Sequence, residues 1–419
     1  MRFVIAVLGI LLCVFLIQAT ARVGFSRLLG RYAQVANSIP AADGAVRVSP
    51  SDANAHRARA GVMGKFQMHA EAVKSLESAV SLRYRDDYLW LELGNAREEV
   101  GDTEGALAAL DQSIRWAPYY AHTHWQRGNL LLRMGRTGEA FAELRTATDA
   151  NSSYLPNLID LAWGISRGDL KTTLELSDLR YDQDRINADN ERLALLRFLA
   201  GKGKGREVIE LSRSLSSPLY EDQKQELVRL LVGAKAFRDA FELSFAELKL
   251  PVPSLFNGDF EEPFVFKDAG FGWILSAEQS RSKLAIDISE KLTGTKSLQI
   301  NLNGNWDPGT VLLSQTVLVE AGKTYPLSFG IKTKDLVTGG PPVITVSDAV
   351  TNQLLGTSDN LPTATSPWQQ ITFEFTTLAT SEAAVIRLQR NGCNSPPCPI
   401  FGTLWLDEFK IGPWKQAEH

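Results

Sequence analysis

The sequence predicts a multidomain α + β protein, an N-terminal solenoid of paired helices followed by an all-β sandwich. Two observations carry that prediction. Ala72, Ala106 and Ala140 recur every 34 residues, the period of a helix pair that cannot bury its apolar stripe alone and must stack on its neighbours. From Pro251 onward the chain alternates apolar and polar residues in short runs bounded by Gly, Asn and Pro, the texture of strands and turns. A length of 419 residues suits two or three such domains.

The first element is an export segment. Met1 and Arg2 precede the uncharged run FVIAVLGILLCVFLI (Phe3 to Ile17), then Gln18 and the triplet Ala19-Thr20-Ala21. A cationic start, an apolar core and an A-x-A triplet fit a signal peptide cleaved after Ala21. The same run also fits an uncleaved membrane anchor, so residues 1–21 are read as signal or anchor. Arg22, Arg27 and Arg31 follow it and resist translocation under the positive-inside bias. Cys13 follows Leu12 rather than a small residue, so lipid attachment is not expected. Residues 22–50 read as a linker. Cys393 and Cys398 enclose Pro396 and Pro397, a short loop suited to a local disulfide in an oxidising compartment rather than to a free thiol pair. No further Cys pair or nearby His supplies a zinc site.

The 34-residue frame extends to other positions: Gly94 with Gly128, Gly101 with Gly135, and Leu76, Leu110 and Leu144. Three copies are clear, at 53–86, 87–120 and 121–154. The frame continues through Leu174, Val208 and Ala240 without the small residues, giving five to six pairs over 51–250. Gly94 and Ala106 mark close helix approach, and Gly101 supplies the turn. Trp90, Leu93, Gly94, Gly101, Ala106, Leu110 and Pro118 resemble the tetratricopeptide repeat family, with Arg97 where Tyr is usual. The resemblance implies a right-handed superhelix whose concave groove takes a peptide or protein partner. His122 and His124 lie two apart on a helix and so face different ways, which disfavours a metal site. Gly201-Lys202-Gly203-Lys204-Gly205 lacks the Ser or Thr of a phosphate loop and reads as a turn. Trp90, Trp116, Trp125 and Trp163 read as core.

Residues 251–419 form the sandwich, with strands expected in SLQINLNG, TVLLSQTVLVEAG, TYPLSFGIKT, PPVITVSD, QQITFEFTT, AAVIRLQR and GTLWLDEFKIG. The ordered segments Leu255 to Glu261, Gly272-Trp273, Gly294 to Ile300, Tyr325 to Phe329, Trp368 to Phe373 and Gly402 to Phe409 resemble the jelly-roll carbohydrate-binding modules associated with xylanases and cellulases. That resemblance implies a structural calcium at Glu261, Asp407 and the backbone carbonyl near Lys296, and a polysaccharide ligand. Ordinary strand-end carboxylates are the alternative for Glu261 and Asp407. Sugar recognition stacks an aromatic ring on a pyranose and adds amide and carboxylate hydrogen bonds. Trp306 lies in a Gly-Asn-Trp-Asp-Pro loop beside Asn303, Asn305 and Asp307, so these four, with Arg387 and Arg390 on a late strand, are the candidate glycan contacts. Trp273, Trp368 and Trp405 read as core.

A net charge of −4 gives no electrostatic footprint for nucleic acid. His56, His69, His122 and His124 lie in the first third and His419 ends the chain, which argues against a His-based nucleophilic engine in the second half. No glycosidase scaffold is visible, and neither an enzyme nor a catalytic cofactor is expected. The sequence points to an exported envelope protein, bound to the membrane if its first segment is uncleaved. Its repeats would hold a protein and its sandwich a glycan, in polysaccharide assembly or export. A protein-only scaffold and a non-catalytic subunit of a secreted glycoside hydrolase are the alternatives.

Overall fold

The structure, a computed structural model, describes residues 2–179, 188–213, 215, 217–245, 252, 253, 255–263, 271–275, 282–304, 306–393 and 397–413. It divides into two compact units, Met1–Asp182 and Gln183–His419.

The first unit pairs helices in sequence: α1 (Arg2–Ala36) with α2 (Ile39–Val48), α3 (Ala53–Lys65) with α4 (His69–Leu82), α5 (Asp87–Glu99) with α6 (Thr103–Trp116), α7 (Ala121–Arg133) with α8 (Thr137–Ala150), and α9 (Leu155–Ile165) with α10 (Leu170–Ser177). Asp52, Asp86 and Asp102 cap α3, α5 and α6 by accepting from the amides of Asn54, Leu89 and Gly105. Gly101 and Gly135 turn the chain inside two pairs at φ +80° and +77°, a region costly for residues with a Cβ. The recurring helical glycines have a packing cause. A Cβ on Gly94 would stand 2.9 Å from Leu110 Cγ, and one on Gly128 only 2.7 Å from Leu144 Cγ. His124 is buried, its Nδ1 against Glu143 Oε2 at 2.7 Å and its Nε2 against the Pro118 carbonyl at 2.9 Å, a packing role.

Residues 22–50 are not a linker. The second half of α1 and all of α2 form a helix pair: Ala33 and Ala42 pack with Val62, and Ser26 Oγ donates to the Ala45 carbonyl at 2.8 Å. Small side chains let these helices close on one another, and Ser38 caps α2 by accepting from the Ala41 amide. The pair lacks the Gly and Leu markers of the repeat frame, which hid it from the periodicity.

The second unit contains α11 (Ala188–Gly201), α12 (Gly205–Arg213), α13 (Glu221–Gly233) and α14 (Phe237–Phe245), followed by the sandwich. The helices expected as one array to Leu250 are therefore shared between the two units. Gly203, at φ +71°, turns the chain between α11 and α12, as the Gly-Lys run predicts. The strands are β1 (Ile274–Leu275), β2 (Ser282–Asp287), β3 (Ser297–Asn303), β4 (Leu313–Leu318), β5 (Thr324–Thr338), β6 (Pro342–Asp348), β7 (Leu354–Thr357), β8 (Ala364–Thr376), β9 (Ala383–Arg390) and β10 (Ile400–Ile411). They form two antiparallel sheets, β1-β4-β9-β6-β7 and β2-β3-β10-β5-β8. One core fills the space between them, with Ile300, Leu302, Tyr325, Phe329, Ile344, Ile386 and Leu404 among its buried members.

Helix α14 packs at β4 of the first sheet. Its Phe241 and Phe245 rings meet Phe271 at 5.3 and 6.3 Å, and Phe245 meets Phe256 at 5.6 Å. Lys235 Nζ donates to the Ala349 carbonyl at 3.4 Å. A disulfide joins Cys393 and Cys398.

Candidate functional site

The second sheet carries a polar and aromatic outer face. Along β3, Leu298, Ile300 and Leu302 enter the core, so Gln299, Asn301 and Asn303 take the other side. Along β10, Leu404 and Leu406 enter the core, leaving Phe401, Thr403 and Trp405 outward. Antiparallel register sets Gln299 opposite Trp405, Asn301 opposite Thr403 and Asn303 opposite Phe401. On the other flank of β10, Lys332, Lys334 and Val337 of β5 stand opposite Trp405, Thr403 and Phe401.

Hydrogen bonds link these rows. Asp287 Oδ2 accepts from Trp405 Nε1 at 2.8 Å and from Gln299 Nε2 at 2.9 Å. Asn301 Nδ2 donates to Gln299 Oε1 at 2.9 Å, and Thr403 Oγ1 donates to Asn301 Oδ1 at 2.8 Å. Burial opposes charge on Asp287, but bonds from the Ser289 hydroxyl, Trp405 and the Ser289 and Glu290 amides outweigh it and lower the carboxyl to about 2. Lys332 places its ammonium 5.7 Å from the centre of the Trp405 ring and pairs with Glu290. At the end of the face Phe401 is 50% exposed and Val337 66% exposed. The Phe401 ring lies over Gly304, where a Cβ would come within 2.8 Å of it. The face thus offers one open ring beside amides, a hydroxyl, ammonium groups and an ionised carboxylate, which is the chemistry that recognises polyhydroxylated ligands.

The six glycan candidates do not form one site. Trp306 is 2% exposed and belongs to the core, its Nε1 donating to the Thr310 carbonyl at 2.9 Å. Arg390 is also buried, donating to the Trp306 carbonyl at 2.6 Å, to Thr338 Oγ1 at 3.1 Å and to Cys398 Sγ at 2.8 Å. These two therefore anchor the loop and the disulfide rather than face solvent. Arg387 lies on β9 of the first sheet and donates to Asn352 Oδ1 at 3.1 Å. Asp307 is exposed on the loop, and Asn305 lies outside the described residues. Of the six, only Asn303 belongs to the outer rows just described. The missed residues were legible in one place: Gln299, Asn301 and Asn303 alternate with aliphatic residues along one strand. Trp405, expected as core, is only 5% exposed, yet polar neighbours on the outer side cover it.

At the calcium candidates, Glu261 accepts from the Lys296 amide at 3.0 Å and from the Thr295 amide and hydroxyl, which lower its pKa. Asp407 is fully buried and accepts from the Leu292 amide at 2.9 Å and the Thr293 amide at 3.2 Å, while burial raises its pKa. The two carboxylates hold adjacent stretches of one loop, and the Lys296 ammonium donates to the Glu261 carbonyl oxygen. These oxygens are the donor class calcium selects, but among the described residues no three His, Cys, Asp or Glu side chains group to hold a metal.

The first unit has a second candidate, a cleft of about 680 Å³ lined by Tyr88, Glu92, Asn95, Tyr119, His122 and Tyr154, among others. Arg57 fixes Glu92 with two bonds of 2.8 and 2.9 Å and lies 4.5 Å over the Tyr88 ring. Tyr119 is largely exposed, so the cleft pairs open aromatic surface with amide and carboxylate groups.

Residues 252–396 match the sequence model of a family described as "Carbohydrate binding domain". No curated protein matches the chain. Among solved structures, Pseudomonas aeruginosa pilF is 19% identical over 54% of this chain and 99% of that one, with a TM-score of 0.34. YrrB, described as a TPR protein with an unusual peptide-binding site, is 18% identical over 39% of this chain and 86% of that one, with a TM-score of 0.32. The CBM22-1 xylan-binding domain of Paenibacillus barcinonensis Xyn10C is 18% identical over 38% of this chain and 94% of that one, with a TM-score of 0.27. The chain thus joins an array of paired helices to a β-sandwich, and the sandwich region is similar to carbohydrate-binding domains.

Proposed function

We propose that this is a non-catalytic envelope protein, held to the membrane by α1, whose helical cleft binds a protein or peptide and whose second sheet binds a polysaccharide during its assembly or export. The observation that carries the glycan assignment is the row Gln299, Asn301 and Asn303 set against Trp405, Thr403 and the open Phe401 ring, inside the region matching a carbohydrate-binding family. Affinity electrophoresis of the full chain through gels containing xylan, β-glucan or the producing cell's own polysaccharide tests it. Retardation is expected, with Phe401→Ala and Asn301→Ala each weakening binding about tenfold, or roughly 1.4 kcal/mol. Retardation by no polysaccharide would defeat the assignment.

The mutual bonding of Asp287, Gln299, Asn301, Thr403 and Trp405 favours a second reading, in which the same groups only brace the sheet and the protein is a scaffold. Under that reading Asn301→Ala lowers stability and leaves every polysaccharide unretained. A structural calcium carried by Glu261 and Asp407 belongs to the first reading. Millimolar calcium is then expected to raise the melting temperature and chelator to lower it, with Glu261→Gln abolishing the difference. An unchanged melting curve would leave the corner as a hydrogen-bonded clamp.

A further inference from the structure

Helix α1 has two faces with different fates. One carries Ser26, Gly30 and Ala33, buried in the first unit, where a Cβ on Gly30 would stand 3.1 Å from Ala58 Cβ. The other carries Leu11, Val14, Gln18, Ala21, Phe25, Leu28, Tyr32 and Val35, every one of them exposed. Their spacing alternates three and four without a break, which is the seam of a helix that winds around another helix. Terminal repeats of a solenoid normally turn a polar side outward, yet this terminal helix shows Phe25, Leu28, Tyr32 and Val35 to solvent.

We propose that this seam pairs with the same seam of a second copy, making α1 a parallel homodimerisation helix that runs from the membrane into the first repeat. The proposal rests on the reading of α1 as an uncleaved anchor, for which Leu8–Ala36 is long and apolar enough to cross a bilayer. Two features select a second copy. The seam continues in one register from the apolar segment into the repeat, so its partner must be a helix that leaves the bilayer at the same height and in the same direction. A copy does so by symmetry. Gln18 also falls in the seam, inside an otherwise apolar stretch, and its exposed amide both donates and accepts. An identical Gln18 at the same depth completes both bonds, where lipid would complete neither. Arg22, Arg27 and Arg31 lie outside the two rows of the seam, Arg27 farthest from it, where it pairs with Asp52.

Single cysteines introduced into the full-length protein in native membranes, on a Cys13→Ser background, test this. Oxidation is expected to yield a species of twice the mass for Leu28→Cys and Val35→Cys and none for Arg27→Cys and Gln34→Cys. Gln18→Leu in the Leu28→Cys chain should lower the cross-linked fraction several-fold. Equal cross-linking on and off the seam, no cross-linking, or a product with a different protein would overturn the dimer. Mass spectrometry of the mature N-terminus separates the two claims. A chain beginning at Arg22 overturns the anchor, and the dimer with it, whereas an intact N-terminus without seam cross-links overturns the dimer alone.

Discussion

Asp287 is the residue on which the outer face of the second sheet turns, because it holds Trp405 and Gln299 at once. Its folded carboxyl lies at about 2 against an ordinary 3.8, so its hydrogen bonds stabilise the fold while it is ionised. That contribution is complete above pH 3.8 and disappears as pH falls through about 2. Asp287→Asn should therefore melt below the wild type from neutrality to about pH 4, and the two curves should converge as pH approaches 2; parallel curves throughout would contradict this. His124 has the opposite sign. The Glu143 hydrogen bond raises its pKa, so protonation supports the fold below the ordinary histidine range and the gain is lost as pH rises through the raised value. At this scale sequence reading took Asn303 and Trp306 together for ligand contacts, whereas the structure sets Asn303 on an outward row and buries Trp306. A Gly-Asn-Trp-Asp-Pro run reads as an exposed loop, and nothing local reveals that Arg390, far along the chain, donates a buried hydrogen bond to the Trp306 carbonyl.

Among the elements, the helix pairs were legible because each must bury its stripe on its neighbour, so the packing constraint repeats with the fold. Gly94 and Gly128 show the constraint directly. Gly128→Ala should destabilise the protein by about 1–3 kcal/mol, because the fully buried Leu144 has no room to yield. Gly138→Ala in α8, where nothing lies within 4 Å of the new Cβ, should instead stabilise it by about 0.5–1 kcal/mol. Denaturant unfolding of both variants checks the contrast, and equal effects would refute the close-approach account. Strand β3 was equally legible, since one residue in two must face the core. The pair α1 and α2 was not, because Ser26, Ala33 and Ala42 pack where the 34-residue frame carries its Gly and Leu markers.

For the whole molecule, α14 sits against the first sheet through Phe241, Phe245 and their aromatic partners, leaving the polar rows on the opposite sheet. If α1 pairs as proposed, each assembly carries two such faces on one anchor, and binding to a repetitive polymer would gain from avidity beyond either face alone. The sequence by itself determined the order of modules, the helix period, the strand alternation and the apolar first segment, because each is a local or periodic demand that burial imposes on neighbouring residues. Only the tertiary structure decided that Trp306 and Arg390 are inside, that Trp405 and Phe401 are on the outer rows, and that the helices divide between two units. Those outcomes depend on which strands become neighbours and in what register, and register joins residues such as Asn303 and Phe401 that no local pattern connects.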